Sequence, residues 1–213
     1  VTYTTEADSG WNLIGNPYPS AIDWDASGWT KTNINDAIYI WDEDQQNFVT
    51  YISGVGTNGG SRYIPPMQGF FVRVPSPGNG YVGMNNGVRI TNTESKFKSA
   101  GSTIKGIKIR LEGDNYRDEA IVRYAAEANY NFDAGLDAHK KFSTNRNVPQ
   151  VFTMNGKEEF LAINTLPLEA DYTQMPVYIS VASTGKYSLT FDGAWNIDES
   201  KTVYLEDIKK DTL

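Results

Sequence analysis

Apolar and polar residues alternate with a period of two along most of the chain, and this pattern predicts β-strands. The run at 37–52 reads as a strand, a polar turn and a second strand, so it predicts a hairpin. Ile38 and Ile40 should share one face of its first strand, and Tyr39 and Trp41 the other. The same alternation predicts further strands at 70–74, 81–84, 88–90, 107–111 and 120–124.

In the second half of the chain the rhythm is interrupted once. The segment from Asp133 to Phe142 lacks the alternation and predicts one or two turns of helix capped by Asp133. Asn155-Gly156 predicts a two-residue hairpin turn. Strands are predicted at 150–154, 160–164, 177–182, 186–191 and 202–206.

Short strands with turn residues at intervals of roughly ten residues predict an all-β fold. The expected architecture is an antiparallel β-sandwich, of the jelly-roll or immunoglobulin-like type. The polar stretch TNTESKFKSAGST lacks periodicity and predicts a boundary between two tandem modules. The modules are then 1–92 and 104–213, joined by a linker at 93–103. A long crossover inside a single sandwich is the alternative.

The segment 10–25, GWNLIGNPYPSAIDWD, is the part of the chain densest in Gly, Pro and Trp. Its two prolines lack the N–H that a strand needs, so the chain should leave the sheet there as a rigid loop. One interpretation places its aromatic residues in the core at one end of the sandwich. The other makes them a shelf that stacks a sugar while two aspartates hold its hydroxyls. The residues of this ligand-binding hypothesis are Tyr18, Trp24, Trp29, Asp23 and Asp25.

Net charge and composition restrict the classes of partner and chemistry that the chain can use. The net charge of −7 and the absence of a Lys or Arg cluster argue against nucleic acid. No apolar run reaches membrane-spanning length. Cysteine is absent, which excludes disulfides and thiolate chemistry. The first residues lack the features of a signal peptide, so an exported chain would be an interior part of a longer precursor.

Acidic residues of the second half suggest a calcium-binding site, and calcium is the one cofactor that the sequence suggests. Hard oxygen ligands from two loops could gather around such an ion, although capping and ordinary solvation explain the same residues. The candidate ligands are Asp114, Asp118, Glu119, Asp133 and Asp137.

Enzymatic chemistry finds little support. His139 is the single histidine, cannot form a multi-histidine zinc site, and is predicted to face solvent. Gly54, Gly56 and Gly59 fit the letters of a dinucleotide fingerprint, but Pro65-Pro66 follow where a helix is required. We therefore expect no catalytic residues and no enzyme activity.

Eight motifs resemble, in order, the C-terminal region of large secreted Bacteroidota surface proteins, just before a type IX secretion sorting domain. The resemblance implies a secreted or cell-surface location, a longer precursor, and a second sandwich that lacks its last strand, whose open edge could pair with another chain. The motifs are GWNLIGNPYPSAIDW (10–24), IYIWD (38–42), IPPMQGFFV (64–72), DEAIVRY (118–124), FDAGLDAHK (132–140), PQVF (149–152), LAINTLP (161–167) and VYLEDI (203–208).

From these observations we expect a non-catalytic structural or adhesion segment of a type IX-secreted surface protein. Its partners would be other domains of the same precursor, further copies in a fibre, or a glycan. The alternative is a carbohydrate-binding module, built on the aromatic shelf and attached to a secreted enzyme or adhesin.

Overall fold

The computed structural model describes residues 1–3, 10–90, 105–113, 115–168, 174–195 and 204–208. Within these ranges the chain is all-β, and its largely antiparallel sheets are consistent with a β-sandwich, which confirms the expected fold class. The same ranges contain no helix that is long and apolar enough to cross a membrane. The linker predicted at 93–103 lies outside the described residues.

The first half of the chain forms one five-stranded antiparallel sheet and two short ribbons. The sheet has the order β1-β8-β4-β5-β6, and the ribbons are β2-β7 and β3-β9. The strands are β1 (Trp11–Gly15), β2 (Ile22–Asp23), β3 (Trp29–Thr32), β4 (Ile38–Asp42), β5 (Asn47–Ile52), β6 (Val55–Thr57), β7 (Tyr63–Ile64), β8 (Gly69–Arg73) and β9 (Tyr81–Met84).

The five-stranded sheet is covered on both faces. Along β4, Ile38 and Ile40 pack in a cluster with Trp24 under the ribbons, whereas Tyr39 and Trp41 pack on the opposite face. The predicted hairpin at 37–52 and its division into two faces are therefore confirmed. A strand buried on both sides needs apolar residues at consecutive positions, and IYIW supplies them.

The second half forms a larger curled sheet with the order β15-β13-β14-β11-β10-β16, and a short β12 that also pairs with β14. β13 packs back against β11, which encloses a cluster that includes Ile109, Val122, Val151 and Leu166. The strands are β10 (Lys105–Glu112), β11 (Arg117–Ala125), β12 (Ala138–His139), β13 (Gln150–Met154), β14 (Phe160–Pro167), β15 (Val177–Ser180) and β16 (Ser188–Trp195).

Four predictions for the second half differ from the structure, the last of them in its described part. The helix predicted from Asp133 to Phe142 is a single hydrogen-bonded turn followed by β12, because β12 pairs with β14. The turn at Asn155-Gly156 spans five residues, since Glu158 takes a left-handed conformation with φ +62°. β11 and β14 run parallel, an exception to the antiparallel pattern. The strand predicted at 202–206 lies partly outside the described residues, and 204–206 are not a strand.

The two halves pair strands only within themselves across the described residues, yet they share one hydrophobic cluster. Fully burying one aliphatic side chain contributes about 1.5–3 kcal/mol, so separating the halves would cost many such contributions. We call the hydrophobic cluster between the halves the shared cluster. Its buried members are Ala37, Tyr39, Phe48, Ile52, Val55, Ile121, Ala138 and Ile163.

Asn16 holds the proline loop that follows β1. Its side chain is buried, and its Nδ2 donates to the carbonyls of Ser20 at 2.9 Å and Pro65 at 2.8 Å. Its Oδ1 accepts from the Tyr18 amide at 2.9 Å. One amide side chain thereby satisfies backbone groups of two proline-containing loops, which the prolines prevent from joining a sheet.

Replacing Asn16 with alanine would leave these buried carbonyls without a donor. We expect Asn16→Ala to lower the free energy of unfolding by at least about 2 kcal/mol, measured by urea unfolding followed by tryptophan fluorescence. The exposed Asn147→Ala is the matched control and should change it by less than about 0.5 kcal/mol. Equal effects of the two variants would show that Asn16 does not hold the loop.

Candidate functional site: a buried polar junction

Asp118, at the start of β11, is completely buried and accepts hydrogen bonds on both carboxylate oxygens. Oδ1 accepts from Nδ2 of Asn47 at 2.9 Å and Nδ2 of Asn58 at 3.0 Å, both in the first half of the chain. Oδ2 accepts from the Val151 amide at 2.8 Å and is ion-paired with the ammonium of Lys140. Three neutral donors and one cation offset the loss of hydration that burial imposes on a carboxylate.

Glu119 extends the same contact on the neighbouring position. Its Oε2 accepts from the Asn58 amide at 2.7 Å, and its Oε1 accepts from Nε of Arg110 at 3.1 Å. Asn58 has φ +56°, a left-handed conformation that asparagine tolerates better than most residues. In this conformation the backbone amide of Asn58 donates to Glu119 and its side chain donates to Asp118, so both groups contact the second half. We call Asn47, Asn58, Asp118, Glu119 and Lys140 the polar junction.

Arg123 forms a second polar contact between the halves, further along β11. Its guanidinium is buried and donates to Oγ1 of Thr165 at 2.9 Å, to the carbonyl of Ser53 at 2.9 Å and to the carbonyl of Leu136. Ser53 and Gly54 both have positive φ and form the two-residue turn between β5 and β6, which leaves the Ser53 carbonyl free for Arg123. Burial lowers the pKa of Arg123, while nearby Asp137 opposes that change.

Asp137 lies behind this arginine in the turn before β12. Its Oδ1 accepts from the Thr165 amide at 2.6 Å and its Oδ2 accepts from the Asp133 amide at 2.8 Å. Burial raises the pKa of Asp137 to about 6, although these backbone hydrogen bonds counteract the change. The side chain therefore connects the turn to β14. Above about pH 6 it is a buried charge, which lowers the stability of the folded chain.

His139 is buried rather than solvent-facing, because β12 places it between Arg73 of the first half and the ring of Phe132. Burial, reinforced by the charge of Arg73, lowers the pKa of His139 to about 3, so the imidazole is neutral at physiological pH. Its Nε2 accepts from Arg73, which puts the proton on Nδ1. The 3.5 Å approach to the Glu159 carboxylate is then not an ion pair.

The proposed sugar shelf is divided by the structure. Trp24 is 1 % exposed, so it belongs to the core and has no free ring face, as the first interpretation of this segment held. Its indole N–H donates to the Asp36 carbonyl at 2.7 Å. Its ring packs edge to face against that of Trp29, with the ring centroids 4.6 Å apart. The remaining members, Tyr18, Trp29, Asp23 and Asp25, are partly exposed or exposed.

The two aspartates of that segment already have partners. Asp23 is ion-paired with Arg62, and its backbone carbonyl accepts from the Trp29 indole at 2.7 Å. Asp25 accepts from the Tyr51 hydroxyl. Burial and the neighbouring Asp25 raise the pKa of that hydroxyl. Sugar binding by this segment remains a prediction.

The predicted calcium ligands do not converge. Asp118 and Glu119 belong to the polar junction, Asp133 accepts a hydrogen bond within its own turn, and Asp137 accepts from that turn and from β14. Asp114 lies outside the described residues. Across the part of the chain that the structure describes, no three Asp, Glu or His side chains are arranged to hold a metal ion. In the junction, the ammonium of Lys140 supplies the positive charge beside Asp118.

Fold and junction together define the class: an all-β protein whose two halves are joined by a shared cluster and by buried charges. The chain belongs to the family described as Domain of unknown function (DUF8693), whose model matches residues 1–213. No curated protein and no solved structure matches it.

Removing the cation from the junction would leave Asp118 buried and uncompensated. We expect Lys140→Met to lower the free energy of unfolding by about 3–5 kcal/mol in urea unfolding. Lys157→Met, at an exposed lysine, is the control and should change it by less than about 0.5 kcal/mol. If both variants were equally stable, the ion pair would not support the junction.

Asp137 should make stability depend on pH. Its pKa is higher in the folded chain than its ordinary value of 3.8, so the folded state binds the proton more tightly. The stabilisation from this proton is complete below pH 3.8 and is lost as the pH rises through about 6. Between about pH 4 and pH 7 the wild type should lose stability relative to Asp137→Asn, which cannot ionise there. Parallel pH profiles from urea unfolding would contradict this assignment.

Proposed function

We propose that this chain is a non-catalytic structural segment of a large Bacteroidota cell-surface protein exported by the type IX system. It serves as a rigid spacer or adhesion element next to other domains of its precursor. The observation that carries the proposal is where two motifs of the resemblance, DEAIVRY and FDAGLDAHK, lie in the fold: each contributes buried polar residues to the contact between the halves.

DEAIVRY contributes Asp118, Glu119 and Arg123, all buried and all bonded to the first half of the chain. FDAGLDAHK contributes Lys140, the cation of the polar junction, and His139, which contacts Arg73. These residues connect the two halves of the chain. That use favours a structural role over an open reactive site.

The electrostatics of the buried groups support the non-catalytic part of the proposal. A general acid or base works best when its pKa is near the operating pH and its proton can reach a substrate. His139 has a pKa of about 3 and is buried against Phe132. Asp118 has both oxygens occupied by four donors. Neither group is arranged to exchange a proton with a bound molecule.

The outer surface of the second half supports a role in contacts with other proteins. Phe142, Phe160 and Tyr178 surround Phe152 and are 37–45 % exposed, and their rings form a connected aromatic group. Aromatic residues at the surface are enriched among the anchors of protein interfaces. An adhesive or fibre-forming segment would use such a surface for its partners.

The export part is tested in a Bacteroidota strain that encodes the chain. Protease added to intact cells should degrade an epitope-tagged precursor, because the chain lies outside the outer membrane. Inactivating the type IX translocon should make the tag resistant, as read by immunoblot, while a periplasmic protein remains intact in both strains. A tag that is protected in wild-type cells would refute the proposed location.

A further inference from the structure

An open cleft of about 300 Å³ lies where hairpin ends from the two halves meet. One wall is the turn between β4 and β5, and the other is formed by residues 112–113 and 115–117 at the adjoining ends of β10 and β11. Its volume is at the lower end of the range of about 300–1,000 Å³ for small-molecule sites, and contacts between structural units are a common place for them. The lining side chains used below are those of Asp44, Gln45, Glu112, Asn115, Tyr116 and Arg117.

Both walls are held in place by hydrogen bonds. In the first wall, Gln45 donates from its backbone amide to Asp42 at 3.0 Å and from Nε2 to the Asn58 carbonyl at 3.0 Å. In the second wall, the Gly113 amide donates to the Tyr116 carbonyl at 2.9 Å. The walls are connected underneath, because Asn47 donates to Asp118 of the polar junction. The cleft is thus preformed, which lowers the entropic cost of binding.

The lining combines an aromatic ring with planar polar groups. Tyr116 is half-buried and offers an apolar ring, while the carboxylates of Asp44 and Glu112 and the amide of Asn115 can each form paired hydrogen bonds. Vicinal hydroxyls next to an apolar C–H face would match this arrangement.

Charge selects between neutral and anionic ligands. Among the described lining residues, the carboxylates of Asp44 and Glu112 and the guanidinium of Arg117 give a net charge of −1. An acidic sugar or a phosphate would meet repulsion here. We propose that this cleft binds a single neutral sugar residue of a glycan, with Tyr116 stacking on the ring and the polar side chains holding its hydroxyls.

The test is saturation-transfer difference NMR on the purified chain. The probes are D-glucose, D-galactose, D-mannose, D-xylose and N-acetyl-D-glucosamine, with D-glucuronic acid as the anionic comparison. At least one neutral sugar should bind with a dissociation constant on the order of 1 mM, as expected for one stacked ring and a few hydrogen bonds. Glucuronic acid should bind more weakly than that sugar.

Tyr116→Ala should weaken binding by about tenfold, whereas Tyr116→Phe, which keeps the ring, should retain most of it. Tyr81→Ala is the matched control, because Tyr81 is 59 % exposed on β9, and it should bind like the wild type. Asp44→Ala, at an exposed turn, is a second variant that should also weaken binding without unfolding the chain. Urea unfolding verifies that each variant is folded.

Two results would overturn the inference. The first is the absence of saturation transfer to all five neutral sugars. The second is binding that survives Tyr116→Ala but is lost in Trp29→Ala, which would place the sugar on the segment 10–25 instead. Either result would leave the proposed export and structural role unaffected, because those depend on the junction and on protease accessibility.

Discussion

The ion pair between Asp118 and Lys140 is the interaction on which the arrangement of the two halves depends. Both side chains are almost completely removed from water, with 0 % and 3 % exposure. Burying two charges is costly, and the mutual attraction offsets that cost only if the remaining hydrogen-bonding sites are also filled. Asn47 and Asn58 fill them from the other half of the chain. The pair is therefore well compensated only when the halves are in contact.

Sequence patterns captured the parts of this fold that depend on short-range alternation. The faces of β4 follow directly from IYIW, because successive side chains of a strand point in opposite directions. Such patterns do not predict the polar junction, because its members are far apart along the chain: Asp118 is 22 residues from Lys140 and 71 from Asn47. An acidic pair such as Asp118-Glu119 has the same appearance in sequence whether it faces solvent or a buried lysine.

The segment around His139 is a second place where tertiary contacts decide the structure and the local sequence does not. Its residues lack the alternation of a strand and predict a short helix, yet Ala138 and His139 form β12 by pairing with β14. Tertiary contacts thus override a local preference that is weak to begin with. Trp24 is the opposite case, because one of the two interpretations of its segment placed it in the core, and the structure places it there. The cleft beside Tyr116 had no sequence signal, since two turns distant in sequence form it.

The parallel neighbours β11 and β14 have a consequence for how the chain acquires its structure. Parallel strands cannot be joined by a tight turn, so the chain between β11 and β14 must cross over before β14 can dock beside β11, and β12 and β13 lie within this crossover. Lys140 lies within that crossover, so its encounter with Asp118 occurs only once a large loop has closed. Loop closure of this kind is entropically unfavourable and slows folding. The chain would therefore stay open to unwanted pairing until this one return is complete.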